Sequence, residues 1–140
     1  MKITRAIEVR LRKALKPNKV VLLLGARRTG KTWFFFFFLP KLEIPYLYLN
    51  GDDTSVQAIF KERTVANYAR LVGESKLLVI DEAHRIPEIG WNLKLMVDEL
   101  EGLHIIATGS SVFDLRAGTG EPLTGRRTEL LLYPFAQIEY

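Results

Sequence analysis

The most constraining feature of the sequence is one short segment, residues 20–32, which reads VVLLLGARRTGKT. Five apolar residues lead into Gly25, and the segment from Gly25 to Thr32 matches the pattern G-x-x-x-x-G-K-S/T. The apolar run predicts a buried strand, and the pattern predicts a turn whose backbone N–H groups curl round an anion. A helix is expected to begin near Gly30, where its N-terminus adds partial positive charge. The chain is therefore predicted to fold around a phosphate-binding strand, loop and helix.

Four more short apolar runs follow this segment, and the first three of them lead directly into polar residues. They cover residues 46–49, 77–80, 103–107 and 130–133, with helical stretches predicted at about 55–72 and 89–100. Strands that alternate with helices predict an α/β fold, in which one parallel sheet carries helices on both faces. Ligands of such sheets bind at the carboxyl ends of the strands. The polar residues expected there are Gly25–Thr32, Asp52, Asp53, Asp81, Glu82 and Thr108–Ser111.

The composition of the chain excludes several classes of protein. The 140 residues are 48% hydrophobic and 26% charged, which suits a chain that buries a core. Cysteine is absent from the sequence, so a disulfide scaffold and thiolate-ligated zinc are excluded. No apolar run approaches the roughly 20 residues that span a bilayer, and the charged N-terminus does not resemble a signal peptide. We therefore expect a cytoplasmic protein that does not act at a membrane.

The net charge of +4 is unevenly distributed along the chain. Residues 1–31 contain ten Lys and Arg residues and only one acid, Glu8, whereas acids outnumber bases in residues 32–140. Three of the ten cations, Arg27, Arg28 and Lys31, lie in the predicted phosphate loop. The others indicate either an anionic partner such as a nucleic acid or a basic helix that is simply solvated.

A pair of carboxylates, Asp81 and Glu82, closes the apolar run of residues 77–80. Because unpaired burial of a charge is costly, this pair should face a site or solvent. Beside a phosphate loop, Asp81 is expected to help the Thr32 hydroxyl hold Mg²⁺, and Glu82 to act on the attacking water as a general base. Lys31 is expected to reach the β- and γ-phosphates. The candidate nucleotide-binding residues are Gly25, Ala26, Arg27, Arg28, Thr29, Gly30, Lys31 and Thr32, and the candidate metal-binding residues are Thr32 and Asp81.

Two later segments of the sequence contain further candidate catalytic residues. A hydroxyl of Ser110 or Thr108, at the tip of the fourth strand, could touch the γ-phosphate or the attacking water, although Ser110 equally suits a helix N-cap. Arg126 could stabilise charge on a transferring phosphoryl group, in cis or across a subunit interface, or could lie in an exposed turn. The candidate catalytic residues are Lys31, Glu82, Ser110 and Arg126.

The tetrapeptide from Asp81 to His84 spells DEAH, a signature of one helicase superfamily. Those helicases need a second motor domain, and 140 residues are too few to contain one. His84 alone is more simply interpreted as a helix-start or surface residue. A fragment of a nucleic-acid motor nevertheless stays open as an alternative.

The segments VVLLLGARRTGKT, IPYLYLNGDD, LLVIDEAHRIPEIG, HIIATGSS and EPLTGRRTELLLYPF together resemble the AAA-type ATP-binding domain of a large prokaryotic ATPase family. The resemblance implies that residues 1–140 form one P-loop core with three layers. Its sheet would be parallel, five-stranded and of the additional-strand type, in the order 5-1-4-3-2. ATP and Mg²⁺ are the ligands that it implies. Members usually continue into a helical lid and a C-terminal domain of unknown function, which we expect to lie outside these residues.

The resemblance also implies roles for individual residues. Gly25, Gly30, Lys31 and Thr32 take the Walker A roles, Asp81 and Glu82 the Walker B roles, Ser110 or Thr108 a sensor role and Arg126 an arginine-finger-like role. One departure from the family is the run of five phenylalanines, Phe34 to Phe38, which covers every face of a helix. Packing under the sheet would explain two or three of them, and a docking surface or a local defect would explain the others.

Three functions agree with these observations. The first is a Mg²⁺-dependent ATPase core, whose client, a protein or a nucleic acid, the sequence does not identify. The second is a nucleotide-binding switch or docking module with little turnover. The third is the nucleic-acid motor fragment. Self-association into a homo-oligomer would be required if Arg126 acted on a neighbouring copy.

Overall fold

The computed structural model of the chain describes residues 2–25, 38–109 and 127–132. The elements are α1 (Lys2–Ala14), β1 (Lys19–Gly25), β2 (Tyr46–Asn50), α2 (Thr54–Ile59), α3 (Val65–Val72), β3 (Leu77–Asp81), α4 (Ile89–Glu99), β4 (His104–Gly109) and β5 (Arg127–Leu132). A short 3-10 turn, Ala83–Arg85, lies between β3 and α4. The predicted α/β class is thus confirmed.

The strands form a parallel sheet in the order β2-β3-β4-β1-β5. β1 lies between β4 and β5, so that Val20 is paired with Ile105 on one side and Arg127 on the other. Counted from β5, the order is 5-1-4-3-2, the order that the sequence resemblance implies. Because the strands are parallel, their carboxyl ends meet at one edge of the sheet.

One face of the sheet packs against α2, α3 and α4. Alternate residues of each strand point to this face, as the two-residue period of a strand requires. The buried residues of this cluster include Val20, Leu22, Leu78, Ile80, Ile105 and Ala107 from the strands and Val56, Tyr68, Val72, Leu93, Met96 and Val97 from the helices. Burial of each large apolar side chain contributes about 1.5–3 kcal/mol, so this cluster is a main source of stability.

The opposite face of the sheet packs against α1 and residues 38–44. Leu11 is fully buried there, and Phe38 and Leu39 lie beside it against the strand residues Val79 and Ile106. Phe38 is the one member of the phenylalanine run that the structure describes, and its ring centre lies 5.6 Å from the Arg12 guanidinium carbon. Helices cover both faces, so the described residues form three layers.

The predicted helical stretch at 55–72 is wrong in its continuity, since two helices occupy it. α2 ends at Ile59, and Thr64 then caps α3 by accepting a hydrogen bond from the backbone N–H of Asn67 at 3.1 Å. The Asn67 side chain donates to the carbonyl oxygens of Ile59 and Glu62, both at 2.8 Å. These bonds satisfy the ends of both helices and thereby stabilise the break.

Within the described ranges, no helix is both long enough and apolar enough to cross a membrane.

Candidate functional site

Three polar side chains meet at the carboxyl edge of the sheet, on neighbouring strands. They are Tyr48 of β2, Asp81 at the end of β3 and Thr108 near the end of β4. Tyr48 packs against the apolar cluster under α1, and Asp81 follows Leu77 and Val79 of that cluster at two-residue steps. All three side chains therefore lie on the α1 side of the sheet.

Asp81 is held at both of its carboxylate oxygens. Thr108 Oγ1 donates to Asp81 Oδ1 at 2.5 Å, and Tyr48 Oη donates to Asp81 Oδ2 at 2.5 Å. The backbone N–H of Glu82 adds a third bond to Oδ1 at 3.1 Å. Asp81 is only 2% exposed and Thr108 is fully buried, so these bonds replace most of the water that a carboxylate would otherwise bind. The orientation of the Asp81 carboxylate is thus fixed by the protein.

Glu82 adopts a left-handed backbone conformation with φ 51° and ψ 45°. This conformation costs a residue other than glycine about 1–2 kcal/mol. Its backbone N–H donates to Thr108 Oγ1 at 3.0 Å, which ties the strained turn to β4. The Glu82 carboxylate is largely enclosed, and Oε1 lies 3.6 Å from Nδ1 of His84. The turn after β3 is thus held in a left-handed conformation by its contact with β4.

Gly51, which follows β2, supports the same turn from the other side. Its backbone N–H donates to the Asp81 carbonyl oxygen at 2.7 Å. A Cβ atom at this position would overlap the Glu82 carbonyl group, so the close approach requires glycine. Gln57 Nε2 donates to the Gly51 carbonyl oxygen at 2.8 Å, and Asp52 forms a 3.1 Å ion pair with Arg85. The β2–α2 connection is therefore bonded directly to the Asp81–Glu82 segment.

The structure brings together some of the predicted site residues. Asp81, Glu82 and Thr108 lie in one hydrogen-bonded group. Gly25 is the last residue of β1, paired with Leu132 of β5. Residues that lie outside the described ranges are Ala26, Arg27, Arg28, Thr29, Gly30, Lys31, Thr32, Ser110 and Arg126. Their roles stay predictions.

The sequence alone does not identify Tyr48 and Gly51 as parts of the site. The sequence places Tyr48 only in a strand, although its alternation with the apolar residues Leu47 and Leu49 does point it to one face. Gly51 stands between the polar residues Asn50 and Asp52 at a strand end, where a glycine indicates close backbone approach. Both signals exist in the sequence, but neither identifies Asp81 as the contact.

The family model described as an AAA domain, AAA_14, matches residues 17–140. The chain belongs to this family. It is a family of AAA-type P-loop ATPases, and the match includes all five segments on which the sequence resemblance rests. The α/β fold and the parallel sheet of the described residues are those that this membership implies.

Relatives of this AAA domain occur in archaea and bacteria. The chain is 29% identical over 141 aligned residues to an uncharacterized protein of Methanocaldococcus jannaschii, covering 97% of this chain and 31% of that protein. It is 32% identical over 126 residues to an uncharacterized protein of Mycobacterium tuberculosis, covering 87% of this chain and 26% of the relative. The chain thus spans less than a third of the length of these curated relatives.

Two solved structures share the fold. A DNA replication initiation factor has a TM-score of 0.58 and 15% identity, with 91% of this chain and 44% of that chain covered. Bacteroides Pif1, solved with single-stranded DNA, has a TM-score of 0.57 and 12% identity, with 95% and 41% covered. At these identities the likeness concerns the fold alone.

Proposed function

We propose that this chain binds Mg²⁺-ATP and hydrolyses it, as the core of an additional-strand P-loop ATPase. The observation that carries the proposal is the position of Asp81 and Glu82. Asp81 ends β3 and Glu82 follows it, and only β4 separates β3 from β1, the strand that leads into the Gly25–Thr32 segment. Family membership supports the same activity.

The spacing of the strands suits a nucleotide between the acidic pair and the loop. Neighbouring strands lie about 4.8 Å apart, so β1 and β3 are separated by about 10 Å at the carboxyl edge. Thr108 lies on the intervening strand, where it is paired with Leu23 of β1 and bonded to Asp81. A terminal phosphate bound by the loop would therefore lie within reach of the Asp81–Glu82 segment.

The roles follow from the chemistry of each group. Mg²⁺ prefers oxygen ligands and is commonly held by one or two carboxylates together with substrate phosphates, so Asp81 and the Thr32 hydroxyl are a suitable donor set. When bound, the ion neutralises charge that develops on the phosphoryl oxygens. Glu82 orients the attacking water and accepts its proton, and Lys31 binds the β- and γ-phosphates. Ser110 contacts the γ-phosphate or the water, and Arg126 stabilises the transferring group from the same or a neighbouring copy.

Equilibrium titration tests the binding half of the proposal. The purified chain is titrated with ATP and with GTP, each in Mg²⁺ and in EDTA. We expect ATP to bind more tightly in Mg²⁺, and Lys31→Ala to weaken binding about 10- to 100-fold, the value of a charge-assisted hydrogen bond. Lys41→Ala is the matched control, because Lys41 is exposed and pairs with Glu8 on the α1 face. Equal binding by wild type and Lys31→Ala would refute the proposal.

Binding without turnover is the outcome expected of a nucleotide-dependent switch. In that case Lys31→Ala still weakens ATP binding, but no phosphate is released above background.

The client of the cycle is a protein or a nucleic acid in either case. We place this activity in the cytoplasm, where ATP is available.

A second candidate function, nucleic-acid binding, is favoured by the exposed cations of α1 and the segment after it. Five of them have exposed side chains: Arg10, Arg12, Lys13, Lys16 and Lys19. Glu8 forms ion pairs with Arg12 at 3.5 Å and with Lys41 at 3.3 Å, and no other acid lies in residues 1–31. Such a surface attracts a phosphate backbone irrespective of base sequence.

Salt dependence tests this second function. Fluorescence anisotropy of a labelled single-stranded oligonucleotide should show an affinity that falls linearly on a log–log plot against salt, with a slope of about 0.7 per phosphate contact. Lys13→Glu and Lys16→Glu together should reduce that slope. Lys61→Glu and Lys94→Glu, on the α2 and α4 side of the chain, are the control pair. A slope that the first pair leaves unchanged would exclude this surface.

A further inference from the structure

We propose that Tyr48 is a positioning residue that, with Thr108, fixes the Asp81 carboxylate in the orientation needed for the metal–nucleotide complex. This inference rests on the proposed function and extends it to a side chain of β2 to which the sequence motifs assign no role. Tyr48 comes from β2, which is paired only with β3 in the described sheet and contributes neither the loop nor the acidic pair.

The geometry distributes the donors over both oxygens of Asp81. Oδ1 accepts from Thr108 Oγ1 and from the backbone N–H of Glu82, and Oδ2 accepts from Tyr48 Oη. The carboxyl torsion of an aspartate is broad and roughly two-fold, so a single donor leaves its plane poorly defined. Donors on opposite oxygens, from β4 on one side and β2 on the other, restrict that rotation.

Two opposing effects follow from removal of the Tyr48 hydroxyl. Loss of a donor leaves more electron density on Oδ2, which by itself would strengthen metal binding. Loss of the donor also lets the carboxylate turn, and at 2% exposure Asp81 has little solvent to take the place of the hydroxyl. Removal of outer groups that orient a ligand typically weakens metal affinity about 10- to 100-fold, so the orienting effect is expected to dominate.

The matched control lies on the same strand. Tyr46 shares the β2 face of Tyr48, two residues earlier, and is paired with Leu77 at the far end of β3 from Asp81. Its side chain is 40% exposed. Tyr46→Phe therefore removes the same atom from the same strand without touching the carboxylate.

The test measures how strongly Mg²⁺ and ATP promote each other's binding. ATP is titrated calorimetrically into each variant in Mg²⁺ and in EDTA. The ratio of the dissociation constant in EDTA to the dissociation constant in Mg²⁺ is then compared between variants. We expect Tyr48→Phe to lower this ratio about tenfold, Thr108→Val to lower it further and Thr108→Ser to retain it. Tyr46→Phe should leave the ratio unchanged, and Tyr48→Phe and Tyr46→Phe should both retain the wild-type affinity in EDTA.

Thermal unfolding of each variant separates misfolding from positioning, because a merely structural effect would lower both affinities together. Equal ratios for Tyr48→Phe and Tyr46→Phe, with ATP still bound, would overturn this inference and leave the proposed function standing. A wild-type chain that binds ATP in neither condition would overturn both. A double-mutant cycle between Tyr48→Phe and Asp81→Asn in urea unfolding then shows whether the contact exists in solution, by a non-additive loss of stability.

Discussion

Gly51 packs directly against the carbonyl group of Glu82, and a Cβ atom at Gly51 would lie 2.9 Å from the Glu82 carbonyl carbon. The contact holds the end of β2 against the strained turn that carries the proposed general base. The backbone conformation of Glu82 therefore requires glycine at position 51.

Gly51→Ala should therefore damage both stability and activity. Overpacking against backbone typically costs about 1–3 kcal/mol, and here the displaced group is the Glu82 peptide itself. Urea unfolding and phosphate release measure the two effects. Gly73→Ala is the control, because Gly73 has φ 57° but no heavy atom within 4 Å of an added Cβ. It should lose stability through conformation alone and keep its activity, so equal activity losses in both variants would contradict this account.

Leu11 anchors α1 to the sheet, since it is fully buried in the cluster with Val79 and Ile106. Leu11→Ala should lower the free energy of unfolding by about 2–5 kcal/mol, the cost of a core cavity. Val9→Ala, on the same helix with a side chain that is 47% exposed, should change it by less than about 0.5 kcal/mol. If chemical denaturation gave the two variants equal stability, α1 could not be packed on the sheet through Leu11.

Because Tyr68 is buried, we expect the free energy of unfolding to fall at alkaline pH. Tyr68 is fully buried and donates to Asn92 Oδ1 at 2.5 Å, and burial raises its pKa to about 12 despite the opposing effect of Arg63. The folded state therefore keeps a proton that the unfolded chain releases near pH 10, so the free energy of unfolding falls as the pH rises from about 10 to 12. Below about pH 10 this contribution is constant.

The size of the Tyr68 effect follows from the rise of its pKa from about 10 to about 12, which corresponds to a few kcal/mol at most. Urea titrations of wild type and Tyr68→Phe between about pH 9 and 12 isolate it, because the lysines titrate alike in both. The difference in stability between the two proteins should shrink above about pH 10. A difference that stayed constant throughout this range would show that Tyr68 ionises at its ordinary pKa.

Much of the fold is predictable because β2, β3 and β4 are short apolar runs that lead into polar residues, whereas β5 begins with three polar residues and ends in leucine. Val79 and Ile80 are fully buried on opposite faces, which is why an unbroken apolar run, and not an alternating one, marks β3. The carboxyl ends of parallel strands share one edge, so the sequence alone leads us to expect Asp81 and Thr108 near each other.

The rest of the fold and of the site depends on contacts between particular side chains. The pattern of apolar and polar residues in the sequence does not reveal such contacts. The break between α2 and α3 is stabilised by Asn67, whose side chain bonds to carbonyl groups five and eight residues earlier. No glycine or proline marks this break in the sequence. Tyr48 reaches Asp81 across 33 positions, and the sequence gives its hydroxyl no local feature that distinguishes it from that of Tyr46. Local pattern therefore predicts the strand but not which tyrosine joins the site.

The most direct test of the central claim is phosphate release from Mg²⁺-ATP by the purified chain and by Glu82→Gln. We expect Glu82→Gln to bind ATP as wild type does but to release phosphate about 10²- to 10⁴-fold more slowly, the range for loss of a general base. Glu88→Gln is the control, since Glu88 also has a positive φ but is 61% exposed and pairs with Arg63 at 3.6 Å. Wild-type turnover by Glu82→Gln would contradict the assignment of Glu82 and, with it, the proposed site.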